Sequence, residues 1–171
     1  MMRADTESMI RVDQAGEYGA TRIYAGQLAI MGNRSPTARA IAGMAAGEAR
    51  HLKRFDALIV ERGVRPTALQ PLWNVAGYAL GMATALLGPE AAMACTAAVE
   101  TEIDKHYADQ LAELGDDDRE LSDTIAEFQA DEVEHRDQAL AAGAERAFGY
   151  PLLSLVIRAG CRVAIAASKR I

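Results

Sequence analysis

Aromatic residues are scarce in this 171-residue chain, at 5% of the total. A core short of rings excludes the aromatic-rich sheets of most β-sandwiches, and no window alternates apolar and polar residues with period two. Cysteine is rarer still: Cys95 and Cys161 lie far apart and form no C-x-x-C. That excludes a disulfide scaffold and leaves two reduced core thiols as the expectation. Positive charge is in deficit, with 18 bases against 24 acids and a net charge of −6, which excludes nucleic acid as the main partner. Long apolar runs are missing too. The greasiest stretch, Leu72 to Leu87, is 16 residues long, short of the roughly 20 needed to span a bilayer. The first 14 residues hold no apolar core region and carry acids early, so neither a signal peptide nor an organellar presequence is expected.

What is present is alanine, 35 residues of it, and helix punctuation. Asp5 caps a first predicted helix that runs to about Met31 and stops at Gly32-Asn33. Ser35-Pro36 opens a second, ending near Arg62-Gly63. Residues 64–71, with Pro66 and Pro71, read as a linker into the apolar third helix, 72–87. Pro89 opens a fourth that reaches about Leu114. Asp117 with Glu120 resembles a capping box for a fifth helix, expected to continue to about Ala147. After Gly149-Tyr150-Pro151 a sixth covers 152–168. The length suits one domain over residues 1–171: four long core helices and two shorter, apolar accessory helices.

Two of the three histidines end the same motif. Glu48-x-x-His51 lies on the second helix and Glu132-x-x-His135 on the fifth, and i,i+3 spacing puts each pair on one helix face. One such pair alone reads as a salt-bridging surface. The preceding helices supply Glu17, 31 residues before Glu48, and Glu100, 32 before Glu132. A helix-hairpin motif is thus used twice. Tyr24 and Tyr107 each follow their glutamate by seven residues, two turns on. Four glutamates converging in a bundle core would protonate or force it open. Two divalent cations balance their charge, and mixed carboxylate and imidazole donors suit iron or manganese. Glu61, Glu113, Glu120 and Glu145 read as solvated, and Glu102 and Glu134 as pointing away from the site. The six residues match the ligand pattern of ferritin-like di-metal proteins.

The segments GEYGA around Glu17, GEARH at 47–51, ACTAAVE ending at Glu100, DEVEH at 131–135 and the C-terminal AGCRVAIAASKRI resemble the ubiquinone-biosynthesis di-iron hydroxylases, the 5-demethoxyubiquinone hydroxylase family. The resemblance runs from about Met9 to the last residue. It implies an all-α, ferritin-like four-helix bundle whose metal ligands are Glu17, Glu48, His51, Glu100, Glu132 and His135, with Glu48 or Glu100 as bridges. It also implies two Fe2+ ions, dioxygen and an external reductant with NADH-derived electrons, acting to hydroxylate the ring of a polyprenylated demethoxyquinol. His106 and Tyr107 match a pair that the family places near its quinone site. Asp131 resembles a partner for a histidine ligand on another helix, or else a surface aspartate.

Residues 146–171 carry five bases and no acid, so residues 1–145 carry −11. That basic end and the uncharged stretch 66–89, with Trp73 and Tyr78, point to an anionic membrane surface. Covering the core or a subunit interface is the other reading of both segments. The expected location is the cytoplasmic face of a bacterial-type inner membrane, as a peripheral protein. A lipid-binding accessory protein and a homo-oligomer are further expectations of the resemblance. Two other functions suit parts of the pattern: a ferritin-like iron-storage or peroxide-handling protein, and a metal-free lipid-binding bundle.

Overall fold

Six helices account for most of the chain. A computed structural model describes residues 4–171, and among them there is no strand. The helices are α1 (Thr6–Met31), α2 (Pro36–Arg62), α3 (Gln70–Leu86), α4 (Pro89–Leu114), α5 (Arg119–Ala141) and α6 (Tyr150–Ser168), with a 3-10 turn at Ala144–Arg146. The expected caps form at α1 and α2, where Asp5 accepts from the Ser8 amide and Ser35 from the Ala38 amide.

Helix α5 departs from expectation at both ends. Its cap is Asp118, which accepts from the Leu121 amide. Glu120 makes no capping box because Arg54 and Arg62 of α2 hold its carboxylate. The helix stops at Ala141 rather than Ala147. Gly143 takes a left-handed φ of 98° there, and the chain tightens into the 3-10 turn.

α1, α2, α5 and α4 form the four-helix ring, each packed beside the next. The two remaining helices occupy equivalent places: α3 lies mainly along α1, and α6 mainly along α4. The repeat seen in the sequence as a helix hairpin is therefore a three-helix unit, α1–α3 and then α4–α6. α3 and α6 together cover the α1/α4 side of the bundle. The α2/α5 side is crossed by ion pairs, Arg54 to Glu120 and Arg62 to both Asp118 and Glu120.

α3 approaches α1 backbone to backbone. A Cβ at Gly81 would overlap the Ile23 carbonyl oxygen, and one at Gly26 would overlap that of Tyr78. Gly77 and Gly81 are one turn apart, a small-x-x-x-small face of the kind that brings two helices into close contact. Trp73 and Tyr78, expected as interfacial rings, are turned toward the protein. Trp73 Nε1 donates to Ser168 Oγ at 2.9 Å, and the Tyr78 ring lies under the Arg22 guanidinium.

Candidate metal centre

All six residues of the repeated motif meet inside the ring, each 9% exposed or less. α1 supplies Glu17, α2 Glu48 and His51, α4 Glu100, and α5 Glu132 and His135. Their donor atoms form two groups, Glu17–Glu48–His51–Glu132 and Glu48–Glu100–Glu132–His135, with one ligand atom from each member of a group within 4.8 Å of the others. Glu48 and Glu132 belong to both. The resemblance implied Glu48 or Glu100 as a bridge, an assignment the sequence itself could not make; Glu100 stands in one group only, as Glu17 does in the other.

His51 Nδ1 lies 3.0 Å from Glu132 Oε1 and 3.5 Å from Glu17 Oε2, and His135 Nδ1 lies 3.0 Å from Glu48 Oε1. Each histidine therefore faces one carboxylate from the other half of the repeat as well as one from its own. The tyrosines cross over as well: Tyr24 donates to Glu100 at 2.7 Å, and Tyr107 donates to Glu17. Seven-residue spacing put each ring on the face of its own glutamate, and the twofold arrangement delivers it to the other one.

Protein groups leave this cluster unsatisfied. Glu17 Oε2, both Glu48 oxygens, His51 Nδ1, Glu100 Oε2 and Glu132 Oε1 are buried and make no well-aligned hydrogen bond, although a histidine stands close to three of these oxygens. Burial first, then repulsion by neighbouring carboxylates, holds Glu48 and Glu100 well above their ordinary 4.5. Burial also raises Glu17, against the pull of His51. Burial would raise Glu132 too, but His135 and His51 bring it down to about 2. Burial pulls the His51 imidazole down, yet contact with Glu132 and Glu17 carries it up to about 10. Inward-aimed, unpartnered oxygen and imidazole donors with excess negative charge are a donor set that divalent cations satisfy.

The surroundings of the two histidines differ. Asp131 Oδ2 lies 2.9 Å from His51 Nε2 and also pairs with Arg50, so the reading of Asp131 as a partner for a histidine on another helix describes its position. The equivalent position before Glu48 is Gly47, and a Cβ there would stand 3.2 Å from the His135 ring. In the sequence Gly47 is visible only as the residue that breaks the repeat. Phe128 stacks on His51 at 3.9 Å between ring centroids. His106 lies near the site without entering it: its Nε2 is 3.1 Å from Asp13 Oδ1, which also accepts from Gln110.

Glu102 points away from the site, as expected, but it is buried rather than solvated. Arg158 donates to its Oε1, and Arg162 Nη1 lies 3.2 Å from the same oxygen. Two of the five bases in residues 146–171 thus pair with a buried carboxylate and hold α6 on α4. Glu134 is exposed, as expected, as are Glu61, Glu113, Glu120 and Glu145. Cys95 is buried and Cys161 half-buried, both as free thiols.

A family model described as "Ubiquinone biosynthesis protein COQ7" matches residues 4–168. The chain is 53% identical over 165 residues to the 3-demethoxyubiquinol 3-hydroxylase of Rhodospirillum rubrum, covering 96% of this chain and 78% of the relative. It is 51% identical over 173 residues to the human mitochondrial protein named NADPH-dependent 3-demethoxyubiquinone 3-hydroxylase, covering 99% and 79%. The mitochondrial 5-demethoxyubiquinone hydroxylase of Saccharomyces cerevisiae is 40% identical over 181 residues, covering 96% and 78%.

Proposed function

The chain belongs to the ubiquinone biosynthesis protein COQ7 family, and we propose that it catalyses the reaction its relatives are named for, with the twofold carboxylate and histidine cluster as the reaction centre. It is a hydroxylase of ubiquinone biosynthesis, and its substrate is a demethoxyquinol. The carrying observation is the pair of donor groups that share Glu48 and Glu132 and hold unpartnered buried oxygens.

Two iron ions suit these donors. Glu17 and His51 would hold one, and Glu100 and His135 the other, with Glu48 and Glu132 within reach of both. When bound, iron supplies the reduction of dioxygen that places an oxygen atom on the ring. The balance is ring C–H plus O2, two electrons and two protons, giving ring C–OH and water. The electrons come from a reduced nicotinamide dinucleotide, and the names of the mammalian relatives make NADPH the first donor to assay.

The chain's own part is geometric and electrostatic. Glu17 and Glu100 are each oriented by a tyrosine from the opposite half, and His51 is fixed by Asp131. Tyr107 lies beside the centre through Glu17. His106 extends that network toward the rim through Asp13, so the pair frames the substrate side without ligating.

A polyprenyl tail requires a lipid boundary, and α3 and α6 offer one. Leu72, Val75 and Leu86 on α3 and Leu152, Leu155, Val156 and Val163 on α6 are exposed, together with Phe148 before α6. α6 is long and apolar enough to cross a membrane by length and composition. Its Arg158 and Arg162 are tied to Glu102 on α4, and this favours a helix lying along the bundle at the membrane surface. The protein then works as one domain, peripheral to the cytoplasmic face of an inner membrane, where a lipid-binding accessory protein or a second copy could share the apolar face.

The test supplies iron-loaded protein with dioxygen, NADPH or NADH, and demethoxyquinol in anionic vesicles. Expected are two irons per chain, cosedimentation with the vesicles and one hydroxylated product per O2. Glu48→Gln and Glu132→Gln should each lower turnover on the order of a hundredfold or more, beyond what loss of a group supporting a ligand costs. No product from the parent protein, or undiminished product from both variants, would sink the reading.

A further inference from the structure

Solvent touches the six-residue cluster at one edge. Glu17, Glu48, His51, Glu100 and Glu132 are 1% exposed or less, whereas His135 is 9% exposed. Its Nδ1 faces inward, 3.0 Å from Glu48 Oε1 and 3.2 Å from Glu132 Oε2. Its Nε2 has no partner among the described residues and is not sealed from solvent. That nitrogen lies beneath the α2 backbone, where a Cβ at Gly47 would stand 3.2 Å away. We infer that divalent cations enter and leave the centre at this edge, past a His135 ring that swings into the gap left by Gly47; this rests on the metal-centre reading above.

The other approaches are closed. On the matching edge Asp131 Oδ2 lies 2.9 Å from His51 Nε2, and Phe128 stacks on the ring. Arg50 pairs with the same carboxylate, and its Nη2 is 3.5 Å from His51 Nε2. A cation arriving there meets positive charge. The α1/α4 side lies under α3 and α6, and the space beside Glu100 is too narrow to admit a water molecule. At His135 the facing stretch of α2 is bare. Gly43, one turn before Gly47, has no side chain either, and a Cβ there would meet nothing within 4 Å. Arg136, the next residue of α5, is neutralised by Asp104 and Asp137.

What lies behind His135 suits stepwise loading. Glu48 and Glu132 stand in both donor groups, so an ion that passes the ring meets these two carboxylates before it reaches Glu17 and His51. Both Glu48 oxygens and Glu132 Oε1 make no well-aligned hydrogen bond and can receive it. A ligating histidine is ordinarily fixed by a carboxylate or carbonyl on its outer nitrogen. His51 has Asp131 in that place, and His135 has no such group. A ring held on its inner side alone can turn away and return while the four helices stay packed.

Co2+ is the probe, because its visible absorption reports ligation without turnover. Apo-protein is mixed with it in a stopped-flow instrument at about 0.15 M salt, which screens surface charge, and release is followed with excess EDTA. Gly47→Ala should slow uptake and release alike, about three- to tenfold, as the ring is forced off its rotamer past the new methyl; Kd should stay within about twofold. Gly43→Ala adds the same helix propensity away from the ring and should match the parent. Arg50→Ala should leave uptake within about twofold. Unchanged uptake in Gly47→Ala, or a weaker Kd carried by faster release alone, would overturn the assignment, as would faster uptake in Arg50→Ala. A second measurement needs no variant. Diethylpyrocarbonate should modify His135 of the apo-protein well before His51, and Co2+ should protect it; equal reaction of the two rings refutes the route. A parent that takes up no Co2+ overturns the metal-centre reading itself, whereas uptake that ignores Gly47→Ala overturns the route alone.

Discussion

The repeated E-x-x-H motif places a different residue in front of each glutamate, and that residue decides how firmly the opposite histidine is held. Asp131 reaches across from α5 to His51, while Gly47 gives the His135 ring room against α2. Asp131→Asn should weaken one of the two bound ions about 10- to 100-fold and spare the other. Arg50→Ala, which removes an exposed partner of the same carboxylate, should leave both nearly unchanged. Metal titration of the apo-protein by calorimetry resolves the two steps, and an equal loss at both would refute the division of labour.

Among the helices, α3 depends on glycine in a way α6 does not. Gly81 lets the α3 backbone lie against the Ile23 carbonyl, whereas α6 is fastened to α4 by Arg158 and Arg162 at the buried Glu102. Gly81→Ala must push the helices apart and should destabilise the protein by about 1–3 kcal/mol, as overpacking does. Gly43, on the exposed side of α2, would meet nothing with its Cβ. Gly43→Ala should therefore stabilise by about 0.5–1 kcal/mol through helix propensity. Denaturant melts of the pair check both signs, and equal effects would show that α3 does not rest on this contact.

Considered whole, the molecule has a side crossed by ion pairs, an apolar side and an over-acidic centre between them. The centre makes stability depend on both metal and pH. Glu17, Glu48 and Glu100 have folded pKa values above 4.5, so the metal-free fold binds more protons than the unfolded chain and loses stability as pH rises. His51, raised to about 10, acts in the same direction above pH 6.5. Glu132, lowered to about 2, contributes fully above pH 4.5 and is constant thereafter. From pH 5 to 8 the apo-protein should therefore melt at progressively lower temperature. Divalent metal, competing with those protons, should stabilise more as pH rises. Scanning calorimetry with and without Fe2+ under anaerobic conditions measures the difference, and a metal-induced shift that shrinks toward pH 8 would contradict it.

Helix number, most boundaries and all six inward-facing glutamates and histidines were legible in the chain, because caps, prolines and i,i+3 spacing are local rules. Local rules also misplaced the start and end of α5, where Arg54 and Arg62 of another helix claim Glu120 and a left-handed glycine intervenes. The burial of Glu102 escaped them for a similar reason: it is set by two arginines 56 and 60 residues away. The sequence by itself determined which carboxylates and histidines turn toward the bundle core and that they come in two equivalent sets. Only the tertiary structure decided that the sets interlock, with Glu48 and Glu132 in both donor groups and each tyrosine serving the other half. Those relations depend on how helices cross, and spacing along one helix carries no record of what faces it.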